Sequence, residues 1–311
     1  MLVASALAFR SPAPRCSTPR CSLLSPSTAS LVVFTDCDGT MLNPDHRLSA
    51  RTESVLAALA EACVLVVPAT GRARAGSWTA SVLSSLPGAG SPGIYLNGCS
   101  VVDEQGALTR TLLPPGCAER ALAYAAATDG ARLTPCVYAG DEALVQRQND
   151  VVARLAAVGD SPIRQVPDLA GACAALDVSK VLLLMDEEGE RMSDYCTADG
   201  AFQSGLAEAV GEGAGITQAL SWAIEVVPAA ADKATAARAL CSRWGVPEER
   251  VVAIGDGQND IELLAFAGER GLSVAMANGA DAVKAAAQHV TGSNGEDGWS
   301  DAMERLVLTR L

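Results

Sequence analysis

The stretch Leu31-Val32-Val33-Phe34-Thr35-Asp36-Cys37-Asp38-Gly39-Thr40 decides how the rest of the chain is read. Leu31–Phe34 is a continuous apolar run, the mark of a strand buried on both faces, as in a parallel sheet with helices on either side. It ends in two acids at i and i+2, which leave an extended strand pointing the same way, and Gly39 permits a sharp turn behind them. Working outward, residues 48–62 carry Val55, Leu56 and Leu59 on one stripe, which predicts a helix. Val64–Val67 reads as a second buried strand and Ile94–Leu96 as a third. Toward the other end, Val251–Ile254 and Leu272–Ala275 are two more, separated by a short helix around Ile261–Ala267. Strand, helix, strand in repetition predicts the α/β class, a Rossmann-like parallel sheet with helices on both faces.

The middle of the chain has another character. Residues 117–127 read as a helix, and Leu133–Tyr138 with Ala143–Arg147 as a hairpin across Ala139-Gly140-Asp141-Glu142. Helices at about 149–157 and 194–210 alternate with strands at Lys180–Met185, Ile216–Leu220 and Ala223–Val227. Hairpins at both ends predict a separate α+β domain over residues 99–228. It is inserted between two halves of one core domain, residues 31–98 and 229–311.

Composition narrows the partners. The formal charge is −13, and from residue 31 onward 20 bases stand against 36 acids. Such a body repels nucleic acid, whose phosphates attract clustered Lys and Arg. A small phosphorylated metabolite is still admissible, because a local cation can overrule the global field. No apolar run approaches the ~20 residues that span a bilayer, so no membrane partner is expected. A monomer or small homo-oligomer is. Ten cysteines form no C-x-x-C pair. Cys37, Cys63, Cys99 and Cys241 sit in or beside apolar runs, where Cys acts as a small hydrophobe, so a reducing compartment is expected.

Residues 1–30 are rich in Ser and Pro and carry Arg10, Arg15 and Arg20 but no acid. That is the composition of an organelle transit peptide without a core of its own. The context Ala4-Ser5-Ala6-Leu7-Ala8-Phe9 favours a plastid over a mitochondrion, with the cytoplasm as the location if the segment is no address.

Ligands on open parallel sheets bind beyond the carboxyl ends of the strands. The first strand ends in Asp36-Cys37-Asp38-Gly39-Thr40. The second ends in Ala69-Thr70-Gly71-Arg72, a hydroxyl and backbone N–H groups suited to phosphate. A later one ends in Gly255-Asp256-Gly257-Gln258-Asn259-Asp260. If these strands are neighbours, Asp36, Asp38, Asp256 and Asp260 converge. Four packed carboxylates raise one another's pKa unless a cation joins them. An all-oxygen ligand set selects a hard divalent ion, Mg2+. Asp-x-Asp-Gly alone is usually a turn. Three polar clusters, each directly after a buried strand, are improbable as independent turns.

Together these motifs resemble those of the haloacid dehalogenase-type phosphatases. Val33 to Thr40 is similar to the first motif, Thr70-Gly71-Arg72 to the second, Asp232-Lys233-Ala234 to the third and Gly255 to Asp260 to the fourth. Asn97-Gly98, Glu225-Val226-Val227-Pro228, Val274 to Gly279, Val290-Thr291 and Asn294 to Gly298 resemble further pieces of the Cof-type subgroup, which carries a large α/β cap of the C2 type. The resemblance covers essentially all of residues 31–311. It implies Asp36 as a nucleophile forming an aspartyl phosphate, Asp38 as general acid and then base, and Lys233 neutralising the phosphoryl charge. It implies Thr70, Gly71 and Asn259 as phosphate-binding groups. Mg2+ would lie between Asp36, the Asp38 backbone carbonyl and Asp256, with Asp260 a direct or more distant partner. Arg72 either reaches the substrate or caps a helix, and Asn97 is a possible substrate contact. Two departures stand out: Cys37 between the two acids, and Asp232 beside Lys233, where Ser is common. The activity implied is hydrolysis of a small phosphomonoester such as a sugar phosphate, a nucleotide or a phosphorylated cofactor. A sugar phosphomutase and a non-catalytic phosphate-binding regulator are the alternatives. The aromatic residues of the insertion, Tyr124, Tyr138, Tyr195, Phe202 and Trp222, read as packing.

Overall fold

The computed structural model describes residues 25–77, 82–86, 92–129, 132–159, 161–185, 200–217 and 222–311. Most of the expected transit segment therefore lies outside the described residues. Ala29 is buried, and Ser30 donates from its backbone N–H to the Cys63 carbonyl and from its hydroxyl to the Ala62 carbonyl, so the packed structure begins slightly before Leu31.

Strand β1 (Leu31–Thr35) is buried along its whole length. The helix that follows, α1 (Ala50–Glu61), starts where the Ser49 hydroxyl accepts the Thr52 N–H, and it buries Thr52, Val55, Leu56 and Leu59. Strand β2 (Val64–Pro68) returns parallel to β1, with Val33 opposite Val66. Strand β3 (Gly93–Tyr95) is buried as expected but is not a third member of this sheet. It meets the end of β2 in a single bridge, Ala69 to Ile94, and pairs antiparallel with β4 (Ser100–Val102), which pairs with β5 (Leu108–Arg110). The β1–β2 pairing runs through Pro68, with the Ala69 N–H donating to the Thr35 carbonyl, and the Thr70 N–H then donates to the Ile94 carbonyl of β3. The chain crosses to the second large sheet at Thr111–Leu113, where the Leu113 N–H donates to the Val178 carbonyl.

That second sheet is built from α2 (Cys117–Asp129), β6 (Leu133–Ala139), β7 (Glu142–Val145), α3 (Asp150–Val158), β8 (Ile163–Gln165), α4 (Leu169–Ala175), β9 (Val178–Met185), α5 (Ala201–Val210), β10 (Ala214–Thr217) and β11 (Ala223–Pro228). Its order is β10-β11-β9-β6-β7-β8, antiparallel except for the β7–β8 pair. Of the expected helix at 194–210, residues 194–199 lie outside the described residues, as do residues 218–220 of the strand expected at 216–220. One face of the sheet packs against α2, α4 and α5 through Ala121, Leu169, Leu206 and their neighbours. The other face presents Cys136, Tyr138, Leu182 and Leu184 to Ala73, Leu96 and Cys99. The second sheet thus lies across the loops that follow β2 and β3.

The chain then returns through α6 (Lys233–Trp244), β12 (Val251–Gly255), α7 (Ile261–Arg270), β13 (Leu272–Ala275), α8 (Asp281–Ala286) and β14 (His289–Val290). The first sheet has the order β14-β13-β12-β1-β2 and is parallel throughout, so β1 is central and the carboxyl ends of β1, β2, β12 and β13 face one way. Separate apolar layers cover its two faces, one with α1 and Trp299, the other with α6 and α7. The two-residue β14 is too short to leave a pattern in the sequence. The described cysteines are free and buried, as their apolar neighbours suggest. No helix among the described residues is long and apolar enough to cross a membrane.

Candidate active site

Beyond the last residue of β1, the Asp36 N–H still donates to the Ile254 carbonyl of β12, which anchors the side chain at the mouth of the sheet. The following turn is tight because Gly39 takes a positive φ of 73°. A Cβ there would come within 2.3 Å of the Asp256 carboxylate, so the position also needs glycine for space. Cys37 points into the apolar layer, where a thiol replaces an aliphatic group without polar cost.

Lys233 is the centre of the charge arrangement. Its fully buried ammonium donates to Asp36 Oδ1 and to Asp260 Oδ1, each at 2.7 Å. Asp232 does not interfere: both of its carboxylate oxygens cap α6, accepting the Thr235 N–H at 2.7 Å and the Thr235 hydroxyl at 2.6 Å. The other oxygen of Asp260 accepts the backbone N–H groups of Asp256 and Gly257. Asp256 Oδ1 accepts the Thr40 hydroxyl at 2.7 Å, and its Oδ2 accepts Asn278 Nδ2, which also donates to the Gly39 carbonyl.

Carboxylate oxygens of Asp36, Asp256 and Asp260 lie within 4.8 Å of one another. Burial pushes the Asp36 carboxyl well above the usual range, and the neighbouring Asp260 and Asp256 add to this against the opposing pull of Lys233. Burial likewise lifts Asp256 to about 6, with the Thr40 hydroxyl opposing and Asp260 reinforcing. Burial alone would lower Lys233, but Asp260 and Asp36 outweigh it and raise its pKa. Three acids sharing one ammonium leave negative charge uncompensated, and every donor is a hard oxygen. The arrangement fits Mg2+.

The expected fourth carboxylate is turned elsewhere. Asp38 is gripped by Arg72 through Nε and Nη2 and by His46 Nδ1 at 2.7 Å, which keeps it outside the three-acid cluster. Burial raises its pKa, but the hydrogen bond and charge of Arg72, followed by His46, outweigh this and lower it. The remaining nitrogen of Arg72, Nη1, donates to the carbonyl of Val158, the last residue of α3, so it caps that helix end and ties the second sheet to the first.

Thr70 is buried, and its hydroxyl oxygen accepts the Arg72 N–H, tightening the turn after β2. Asn259 Nδ2 donates to Asn97 Oδ1 at 2.9 Å. Asn97 sits behind Gly71: a Cβ on that glycine would lie 3.1 Å from its amide oxygen. Both Leu96 (φ 50°) and Asn97 (φ 56°) are left-handed, a local strain held in place by the Leu96 N–H to the Arg72 carbonyl and the Asn97 N–H to the Thr70 carbonyl.

A cavity of about 380 Å3 opens between the two sheets. Asp36, Asp38, Thr70, Gly71, Arg72, Asp256 and Asn259 line one side, and Arg154, Leu155, Lys180, Leu182, Trp222 and Glu225 the other. Nine of the ten expected site residues therefore meet around one cavity, counting Lys233 and Asp260 through their direct bonds to Asp36 and Asp256. The tenth, Asn97, stands behind them. Trp222, expected only to pack, also lines the cavity. The sequence reading passed over several residues. Thr40, Asn278 and Glu225 lie inside motifs already quoted. His46 is one of only two histidines in the chain. Lys180 and Glu225 are charges embedded in otherwise apolar strands, a signal in themselves.

A family model described as haloacid dehalogenase-like hydrolase matches residues 33–303, and this chain belongs to that family. The crystal structure of TM0651 from Thermotoga maritima superposes with a TM-score of 0.71 at 26% identity, covering 89% of this chain and 97% of that one. Among curated proteins, the chain is 29% identical over 284 residues to the chloroplastic endoribonuclease YBEY of Arabidopsis thaliana, covering 89% of this chain and 46% of the relative. It is 45% identical over 75 residues to the 5-amino-6-(5-phospho-D-ribitylamino)uracil phosphatase YitU of Bacillus subtilis, covering 24% of this chain and 27% of the relative. The chain thus spans less than half the length of these curated relatives.

Proposed function

We propose that this chain is a magnesium-dependent phosphatase that hydrolyses a small phosphomonoester through an aspartyl phosphate on Asp36. The observation that carries the reading is the buried Lys233 ammonium, 2.7 Å from both Asp36 and Asp260, beside the Asp256 that lines the cavity between the two sheets. A carboxylate so held is oriented toward the cavity, and the ammonium opposes the burial and neighbouring acids that raise its pKa; a bound cation would complete the ionisation that a nucleophile toward phosphorus requires. Asp36 attacks in line, the ester P–O bond breaks, and its electron pair leaves with the alcohol oxygen, which takes a proton from Asp38. Water then attacks the phosphorus of the aspartyl phosphate, gives its proton to Asp38 and releases phosphate.

Arg72 holds Asp38 ionised in this structure. An incoming phosphoryl group competes for the same guanidinium, which frees the carboxyl to carry a proton. Thr70, the Gly71 N–H and Asn259 hold phosphoryl oxygens, and Lys233 offsets their charge. Asp36, Asp256 and the Asp38 backbone carbonyl would hold Mg2+, with Asp260 fixing the Asp256 loop behind them. When bound, the ion supplies positive charge to the nucleophile and the transferring group. The inserted segment, residues 99–228 in outline, acts as a cap that excludes bulk water.

Phosphate release from a panel of phosphometabolites, with Mg2+ and with chelator, tests the proposal, and the substrate named by the B. subtilis relative belongs in that panel. Asp36→Asn should lower release about a thousandfold or more. Full activity in that variant would exclude Asp36 as the nucleophile. The acid-free, Ser/Pro-rich residues 1–30 and the chloroplastic relative support a plastid location. A fluorescent fusion of residues 1–35 that stayed diffuse in the cytosol would rule that out.

A further inference from the structure

Lys180 in β9 and Glu225 in β11 are each 2% exposed, yet both line the cavity. The Lys180 ammonium donates to Glu225 Oε2 at 3.2 Å and to the Gly71 carbonyl at 3.3 Å, and it lies 4.7 Å from the centre of the Tyr138 ring. Only one oxygen of Glu225 is engaged in this way. The second, Oε1, accepts no hydrogen bond from any described residue. A buried ion pair is a poor device for stability, since an apolar pair of similar size does as well or better. Oε1 is not closed off from the cavity, so its lone pairs face water there until a bound molecule that displaces the water supplies a donor or leaves them unpaired.

The location limits what that donor is. Legs of 3.2 and 3.3 Å through the ammonium place Glu225 Oε2 no more than about 6.5 Å from the Gly71 carbonyl, at the phosphoryl end of the cavity. Leu182 stands opposite Glu225 on the neighbouring strand, and Leu155 also lines the cavity. The wall therefore offers an acceptor and an ammonium close to the phosphoryl group and apolar surface beside them.

Resting on the phosphatase reading, we infer that Glu225, held by Lys180, is a specificity-determining residue that accepts a hydrogen bond from a hydroxyl on the carbons next to the phosphoester. The substrate class is then a phosphorylated polyol or sugar, and a plain alkyl phosphate is rejected because it leaves Oε1 unpaired. Lys180 positions the carboxylate and joins it to the loop that grips the phosphoryl group.

The test compares ribitol 5-phosphate with pentyl phosphate, which has the same carbon count and no hydroxyls. Binding is measured by calorimetry on the full chain carrying Asp36→Asn, so that affinity is read without turnover. The Asp36→Asn chain should bind ribitol 5-phosphate about tenfold or more tighter than pentyl phosphate. Adding Glu225→Gln should cut that ratio severalfold, and adding Lys180→Met with Glu225→Leu should abolish it. The double replacement substitutes an apolar pair for the ion pair, which keeps the comparison open if a single change fails to fold. A ratio near one in the Asp36→Asn chain, or a ratio unmoved by the double replacement, overturns the inference. A preserved ratio lost on the double replacement upholds it even if the wild-type chain releases no phosphate, in which case the phosphatase reading alone has failed.

Discussion

Removing divalent ions should make the stability of this fold fall as pH rises through the mildly acidic range. Asp256 titrates near 6 in the folded chain, against 3.8 for an ordinary aspartate. Between those values the folded state binds more protons than the unfolded one, so unfolding free energy decreases with increasing pH. Each pKa unit is worth about 1.4 kcal/mol, so the ionised fold should be up to about 3 kcal/mol less stable at pH 7 than at pH 4 on this account. The raised Asp36 acts in the same direction. Mg2+ binds the ionised acids of the folded state and should reverse the loss, by about 2.7 kcal/mol when present at a hundredfold over its dissociation constant. Urea unfolding followed by circular dichroism at pH 4.5, 5.5, 6.5 and 7.5, in EDTA and in millimolar MgCl2, measures both effects. The midpoint should slide downward with pH in EDTA and stay nearly level in Mg2+. Two superimposable curves, or an EDTA midpoint that rises across the window, would refute the argument that Asp36, Asp256 and Asp260 are mutually repelling and cation-seeking.

Other perturbations separate the parts of the site. Lys233→Met strips Asp36 and Asp260 of their shared ammonium and should cost about 3–5 kcal/mol in urea unfolding, since it leaves buried charge unpaired; phosphate release should fall with it. Gly39→Ala places a Cβ against the Asp256 carboxylate at a positive φ. It should weaken Mg2+ binding, measured by calorimetry, more than it lowers the melting temperature. Arg72→Lys keeps the charge but loses the fork that holds Asp38 and reaches Val158. The high-pH limb of the pH–rate profile should then move to higher pH, because Asp38, the proton donor to the leaving oxygen, loses the contact that depresses its pKa.

How far the residues alone determine this arrangement can be followed element by element. The parallel order is legible because Leu31–Phe34, Val64–Val67 and Val251–Ile254 are apolar without alternation, which only two-sided burial explains. The convergence of Asp36, Thr70 and Asp256 follows, since strands running one way end on one side. Strand β3 defeats the same logic: a three-residue apolar run cannot declare which partner it takes, and it pairs with β4 while meeting β2 in a single bridge. Asp38 was readable as a residue but not as a conformation, because its partners Arg72 and His46 come from different loops. The pair Lys180–Glu225 escaped for a related reason. Each charge is visible inside an apolar strand, but their meeting depends on β9 and β11 being neighbours, which no local pattern encodes.

The central position of β1 has a consequence for how the molecule is made. One flank of β1 is covered early, by β2, while the other waits for β12, and 216 positions separate Thr40 from the Asp256 it must bind. As the chain leaves the ribosome, the entire second sheet must appear before the nucleophile has its metal-site companions. Such distant pairings make for slow folding, and until β12 arrives β1 offers an open edge to neighbouring chains. Nascent fragments ending before Gly255 therefore hold Asp36 but neither Asp256 nor Asp260.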